Sequence, residues 1–220
     1  MDVAKRRELA SRALEGYVHG PDAATEATAR ALAKVATAQA VVLVEGISDQ
    51  IAVETLARRR GRDLAGEGVV VLPIGGAHAA RRFLEQFGPA GADLRLAGLC
   101  DIGEEDVVRR GLASAGIGSP RTRADMEQLG FYVCVEDLED ELIRAVGARR
   151  VTALIDSQGD LGSFRSLQRQ PEWRGRLVEA QLRRFMGSGG KRKLRYARLL
   201  AAAVEPDRLP SSLDGLLSRA

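Results

Sequence analysis

Histidine, cysteine and aromatic residues are scarce in this 220-residue sequence, and each scarcity removes a class of chemistry. Two histidines (His19, His78), two cysteines (Cys100, Cys134) and no C-x-x-C leave no nitrogen–sulfur zinc site and argue against haem. Both cysteines sit inside apolar stretches, as buried thiols do in a reducing cytoplasm, so no disulfide framework is expected. Aromatics are 4% of the chain, too few for the stacking platform with which OB-folds hold single strands; Trp173 and the others read as core. No run approaches 18 consecutive apolar residues, and the N-terminus enters a charged, helix-like pattern at once. Neither a membrane span nor a secretory signal is expected, and a cytoplasmic location follows. Oxygen-ligand chemistry is not excluded.

What is there is an ordinary globular composition, 45% apolar and 29% charged, in a length that fits one domain with a substantial appendage. The net charge of +3 hides an asymmetry. Residues 101–141 hold eleven acidic against four basic side chains, whereas residues 161–200 hold eleven Arg or Lys against only Glu172 and Glu179. Such a pair of regions suits a protein that holds a polyanion on one side and cations on the other. Solvated helix faces on an Arg-rich chain would give the same count.

Along the chain, residues 2–16 and 22–37 read as helices separated by a turn at His19-Gly20-Pro21, with Asp22 as N-cap. The period then changes. Ala40-Val41-Val42-Leu43-Val44 has the uninterrupted apolar pattern of a strand buried on both faces, and Ser48 can cap a helix reaching about residue 60. Strands are expected again at 69–74, 94–100 and 131–135, with helices at 79–87 and 136–146. Strands alternating with helices predict an α/β parallel sheet, and Glu45, Gly75, Asp101 and Glu136 then fall at carboxyl ends of strands, where such sheets gather ligands. From about residue 151 only helices are expected, near 151–157, 163–168, 173–186 and 191–204, broken at Pro171, Gly187-Ser188-Gly189-Gly190 and Pro206. The organisation read from this is an N-terminal helical segment (1–38), an α/β core (39–147) and a helical extension packed on the core (148–220).

Glu45 leaves a buried strand as a charge, Asp101 does the same, and Glu136 and Glu139 lie on a third connection. Asp49, one turn after Glu45, suits a helix N-terminus through the macrodipole as well as a shared cleft. Converging carboxylates repel one another and raise each other's pKa unless a cation neutralises them. Hard oxygen donors in this number suit Mg²⁺, Mn²⁺ or Ca²⁺, and such sites serve phosphate chemistry; a solvated loop rim is the competing reading.

Val42-Leu43-Val44-Glu45-Gly46-Ile47-Ser48-Asp49, followed by an Ala-rich helix, resembles the first motif of the Toprim family, shared by topoisomerases, bacterial primases and OLD-family (overcoming lysogenization defect) nucleases. Gly75-Gly76 and Leu99-Cys100-Asp101 resemble its next landmarks. Val135-Glu136-Asp137-Leu138-Glu139 and Gly190-Lys191-Arg192-Lys193-Leu194-Arg195-Tyr196-Ala197 are similar to segments of the OLD branch, so the likeness covers roughly residues 38–215. The resemblance implies a Toprim-type sheet of about four strands. It implies Glu45 as general acid/base or metal ligand, Asp49 and Asp101 as ligands, Glu136 or Glu139 completing a second site, and Lys193 on the reacting phosphate, with Lys191 as the fallback. One departure stands out: Toprim proteins have Asp-x-Asp after the third strand, and Gly103 fills the second position here, with Glu104 one residue later as a substitute. Without that substitution the site holds one ion or is degenerate.

The function this implies is a divalent-metal-dependent phosphoryl-transfer enzyme, an OLD-like endonuclease or nickase on DNA using one or two ions of Mg²⁺ or Mn²⁺, with Ca²⁺ a further candidate. Arg183, Arg184, Lys191, Arg192 and Arg195 are the expected nucleic-acid contacts. OLD nucleases usually carry an ABC-type ATPase in the same chain; this sequence contains none, so it is expected to act alone or with a separate ATPase, and a homodimer is compatible. The alternatives are a non-catalytic Toprim module binding nucleic acid or a partner and, more weakly, a Rossmann-like metabolite domain. Gly187–Lys191 is no Walker A loop, because Phe185 stands where its first glycine belongs and Arg192 follows the lysine; it reads as a hinge or a plain linker. Gly75-Gly76-Ala77-His78 lacks the third glycine of a dinucleotide fingerprint and reads as an approach to phosphate or a tight turn.

Overall fold

A computed structural model describes Lys5 and residues 22–220. The expected helix at 2–16 and the turn at 19–21 lie outside the described residues. Along the chain run α1 (Asp22–Val35), β1 (Ala40–Val44), α2 (Ile47–Arg59), β2 (Val69–Pro73), α3 (Ala80–Phe87), β3 (Arg95–Cys100), α4 (Glu105–Ser114), α5 (Arg123–Gln128), β4 (Phe131–Val133), α6 (Leu138–Val146), α7 (Ala148–Ser157), α8 (Leu161–Arg169), α9 (Val178–Met186), α10 (Gly190–Ala203) and α11 (Ser211–Arg219).

The four strands form one parallel sheet in the order β2-β1-β3-β4. Every residue of β1 and β2 is buried, which requires cover on both faces. Alternation along β1 divides the core in two. Val41 and Leu43 join Val70, Leu72, Phe131 and the apolar sides of α1, α3 and α4; Ala40, Val42 and Val44 join Val69, Val71, Leu99 and those of α2 and α6–α11. β1 and β3 are direct neighbours, so the residues that follow them, Glu45 and Asp101, leave the sheet side by side.

The free edge of β2 is closed by its surroundings. The Thr28 hydroxyl donates to the Pro73 carbonyl (2.7 Å), the Gln50 amide donates to the Val71 carbonyl (3.2 Å), and the Val69 amide donates to the Leu64 carbonyl (2.7 Å). Pro73 has no amide hydrogen to offer. These groups blunt an edge that would otherwise accept another strand.

Several local expectations shift. Gly46, not Ser48, is the N-cap of α2, and Ser48 is buried inside the first turn. β4 stops at Val133, because the Val135 amide donates to the buried Glu141 carboxylate (2.9 Å), and α6 starts at Leu138 behind its cap Asp137. Residues 171–175 form turns and the chain stays irregular through 177, so α9 starts only at Val178. α4 and α5, in a stretch too charged to show a strong apolar period, and α11 are additional helices.

The C-terminal helices share the sheet's core, with Phe185, Leu200, Leu213 and Leu217 in one cluster with Val42 and Val71. Arginines at the end of α2 tie the two regions. Arg59 donates to the Ala201 (3.2 Å) and Val204 carbonyls, and Arg62 to those of Leu217 and Ala220 (3.1 Å). No helix of the described residues is long and apolar enough to cross a membrane.

Candidate functional site

The site lies over the carboxyl ends of β1 and β3. Gly75 and Gly76 turn away from β2 with φ of 75° and 111°, and both amides donate to the Glu45 main-chain carbonyl (2.9 and 3.2 Å). Only glycine adopts that left-handed pair without strain. The glycine pair therefore makes a tight turn that fixes Glu45, and its N–H groups are taken.

Asp49 combines both roles the sequence allowed. Its Oδ2 accepts from the Gly46 amide at 2.7 Å, which caps α2. Desolvation and then the charge of Glu139, with Glu45 behind it, push its carboxyl up to about 7, against the Gly46 bond and the Lys193 ammonium. Asp101 is pushed up to about 8 by desolvation, then by Glu45, Asp49, Asp137 and Glu139. Glu139, in the first turn of α6, is buried and raised by that burial. Asp49, Asp101, Glu139 and Glu45 thus form one electrostatic cluster drawn from three connections.

Lys193 supplies the cluster's cation. Its Nζ lies 3.2 Å from Glu139 Oε1. Burial opposes the ammonium, but Glu139, then Asp49 and Glu45, outweigh it and raise the lysine's pKa. Glu45 and Glu104 line a narrow crevice walled by Leu43, Ile74, Leu84 and Val108. Glu136 is not drawn in: it is exposed and pairs with Arg183 (3.6 Å). A Cβ at Gly103 would meet nothing within 4 Å, so the missing second aspartate is not excluded by space.

Among the described residues no three His, Cys, Asp or Glu side chains stand ready-made round a metal ion. The donor set nevertheless fits a hard divalent cation. It is all carboxylate oxygen, Asp49 and Asp101 are raised in part by the neighbouring charges of Glu45 and Glu139, and Glu139 is buried. Asp49, Asp101 and Glu139 would hold the ion, with Glu45 beside them. Cys100 beside Asp101 offers no nucleophile, since burial pushes its thiol up to about 12.

Lys191, Arg192 and Arg195 gather with Ser188, Gly189 and Gly190 round a concavity of about 510 Å³ at the start of α10. Arg192 lies over the Phe185 ring (4.3 Å) and donates to Ser188 (2.7 Å); Arg195 pairs with Asp160. Arg184 is exposed. Arg183 instead turns inward, donating to Asp137 at 2.6 Å. The Asp137–Arg183 pair was missed by motif reading, although Asp137 three residues ahead of Asp140 carries the spacing of an N-cap, and its Oδ1 does accept from the Asp140 amide (2.8 Å).

Comparison with known proteins agrees with this geometry. Residues 37–101 match the model of the family described as overcoming lysogenization defect protein-like, TOPRIM domain. The C-terminal region of the Xanthomonas campestris pv. campestris OLD protein superposes with a TM-score of 0.60 at 24% identity, over 83% of this chain and 93% of that one. The C-terminal region of the Burkholderia pseudomallei OLD protein gives 0.59 at 20% identity, over 82% and 96%. No curated protein matches the sequence. Residues 37–101 therefore match the OLD-like TOPRIM domain model, and the chain shares the fold of the C-terminal regions of OLD proteins.

Proposed function

We propose that this chain is a divalent-metal-dependent phosphodiester hydrolase that cuts or nicks DNA. The observation that carries the reading is the carboxylate cluster of Asp49, Asp101, Glu139 and Glu45 with Lys193 in its midst, at the strand ends of an OLD-like Toprim domain. Mg²⁺ or Mn²⁺, as one or two ions, would polarise the phosphate and lower the pKa of the attacking water. Glu45, whose main-chain carbonyl is held by the Gly75–Gly76 turn, would take the proton of that water. Lys193 neutralises charge developing on the phosphoryl oxygens. Lys191, Arg192 and Arg195 bind neighbouring phosphates, and Arg184 extends that surface. An ABC-type ATPase and a second copy of the chain are the partners this reading implies, in the cytoplasm.

Incubation with supercoiled plasmid across Mg²⁺, Mn²⁺ and Ca²⁺ tests it. Nicked or linear product is expected with at least one ion, none from Asp101→Ala, and a loss of about a hundredfold in rate from Lys193→Ala at saturating metal. One observation favours a second reading, a non-catalytic module: Gly103 replaces the second aspartate of the Toprim pattern. Wild-type protein that binds DNA but cleaves with no ion, while Gly103→Asp gains cleavage, would establish that reading.

A further inference from the structure

Lys193 is placed oddly for a residue whose only task is to meet phosphate. Its side chain is 44% exposed, yet its ammonium reaches in to the Glu139 carboxylate, whose side chain is 10% exposed. It belongs to the first turn of α10, the positive end of a 14-residue helix, whose first turn has no acidic residue and also carries Lys191 and Arg192. Its own helix therefore repels it, and Glu139, Asp49 and Glu45 hold it. Removing all positive charge from among these carboxylates would leave buried acids facing one another. The lysine is the cation that faces the buried Glu139.

We propose that Lys193 is a resident cation exchanged for the metal: it holds Glu139 while the site is empty and is displaced outward when a divalent cation binds. The lysine then becomes available to a phosphate only after the cation is in place. This rests on the reading that the carboxylates take a divalent cation, but not on cleavage. A divalent cation on Glu139 and the ammonium 3.2 Å from its Oε1 repel one another at close range, and the lysine is the mobile one. It is half-exposed on a four-carbon stem, and its amide donates to Gly189, a residue with φ of 157° in the glycine-rich turn before α10. Displaced, its ammonium moves towards the same helix start that attracts an anion.

The exchange has an unusual consequence: deleting the lysine's charge strengthens metal binding. Calorimetric titration of the full chain with Mn²⁺ should give a Kd at least about tenfold lower for Lys193→Met, the equivalent of about 1.4 kcal/mol. Lys193→Arg should stay within about twofold of wild type, since charge governs the competition. Metal-free Lys193→Met should melt below wild type, and Mn²⁺ should raise its melting temperature by more than it raises that of wild type. An equal or weaker Mn²⁺ affinity in Lys193→Met, with wild type binding normally, overturns the exchange and leaves the metal site standing. Absence of Mn²⁺ binding in every variant overturns both. Should Lys193→Met fail to fold, the wild type decides. The chain has only four lysines, Lys5, Lys34, Lys191 and Lys193, so ¹³C-methylated Lys193 is readily assigned by NMR. Its resonance must move when Mg²⁺ saturates the site, and an unmoved resonance refutes the displacement.

Discussion

Asp101 follows six strand residues and precedes a single turn of 3-10 helix; it is half-buried, and its side chain makes no cap hydrogen bond. Burial and four neighbouring acids hold it up to about 8 from an ordinary value of 3.8. The sign of the consequence follows from linkage: a raised carboxyl binds its proton more tightly folded than unfolded. Its contribution to stability is therefore complete below about 3.8 and is lost as pH rises through about 8. Metal-free wild type is expected to lose melting temperature over that window relative to Asp101→Asn, which has no charge to form. Differential scanning fluorimetry at several pH values checks this, and a gap between the two proteins that does not widen with pH would contradict the cluster. The opposite pairing holds at Glu105, whose hydrogen bonds to Arg123 and Arg109 keep its carboxyl below the usual range.

At the scale of elements, the sheet is tightest where β3 meets β4. A Cβ at Gly98 would lie 2.7 Å from two atoms of the buried Phe131 ring and 3.3 Å from the Leu43 carbonyl. Neither neighbour is the free end of a flexible chain. Gly98→Ala is expected to destabilise by about 1–3 kcal/mol in urea unfolding, and because β3 delivers Asp101, its Mn²⁺ affinity should fall as well. The start of α10 is fixed by aromatic packing: Phe185 meets Phe164 edge-on (5.3 Å) and Tyr196 (6.3 Å), whose hydroxyl donates to Asp160 (2.9 Å). Three of the chain's aromatics, Phe164, Phe185 and Tyr196, thus seat the helix that carries Lys193.

Over the whole molecule, charge is segregated so that the acidic cluster and the basic concavity meet through one helix: Lys193 faces the carboxylates, and Lys191, Arg192 and Arg195 line the concavity. The two groups should separate in a salt titration of DNA binding. Lys191→Ala, on an exposed side chain, should reduce the slope of log K against log[salt] by about 0.9, one phosphate on duplex DNA, with melting temperature unchanged. Arg195→Ala should reduce the slope similarly but also lower the melting temperature, because Arg195 pairs with Asp160. Equal slopes for Lys191→Ala and wild type would remove this surface from the DNA-binding reading.

The sequence by itself determined the sheet and its ligand end. Uninterrupted apolar runs can only be strands covered on both faces, and an acid that ends such a run must stand at the sheet's edge; that reasoning places Glu45 and Asp101 without coordinates. Helix ends were less legible, because a cap depends on backbone angles: Gly46 caps where the sequence pointed to Ser48, and Asp137 caps a helix that starts at Leu138, not at 136. α4 stayed hidden because only Val108, Gly111 and Leu112 are buried in a stretch rich in charge. Only the tertiary structure decided between Glu136 and Glu139, one carried out to Arg183 and the other buried beside Lys193, since three residues on a helix start span opposite environments. It also turned Arg183 from a surface contact into the partner of Asp137. Pairings of this kind join residues some fifty positions apart, and a local pattern holds no information about which distant charge will face it.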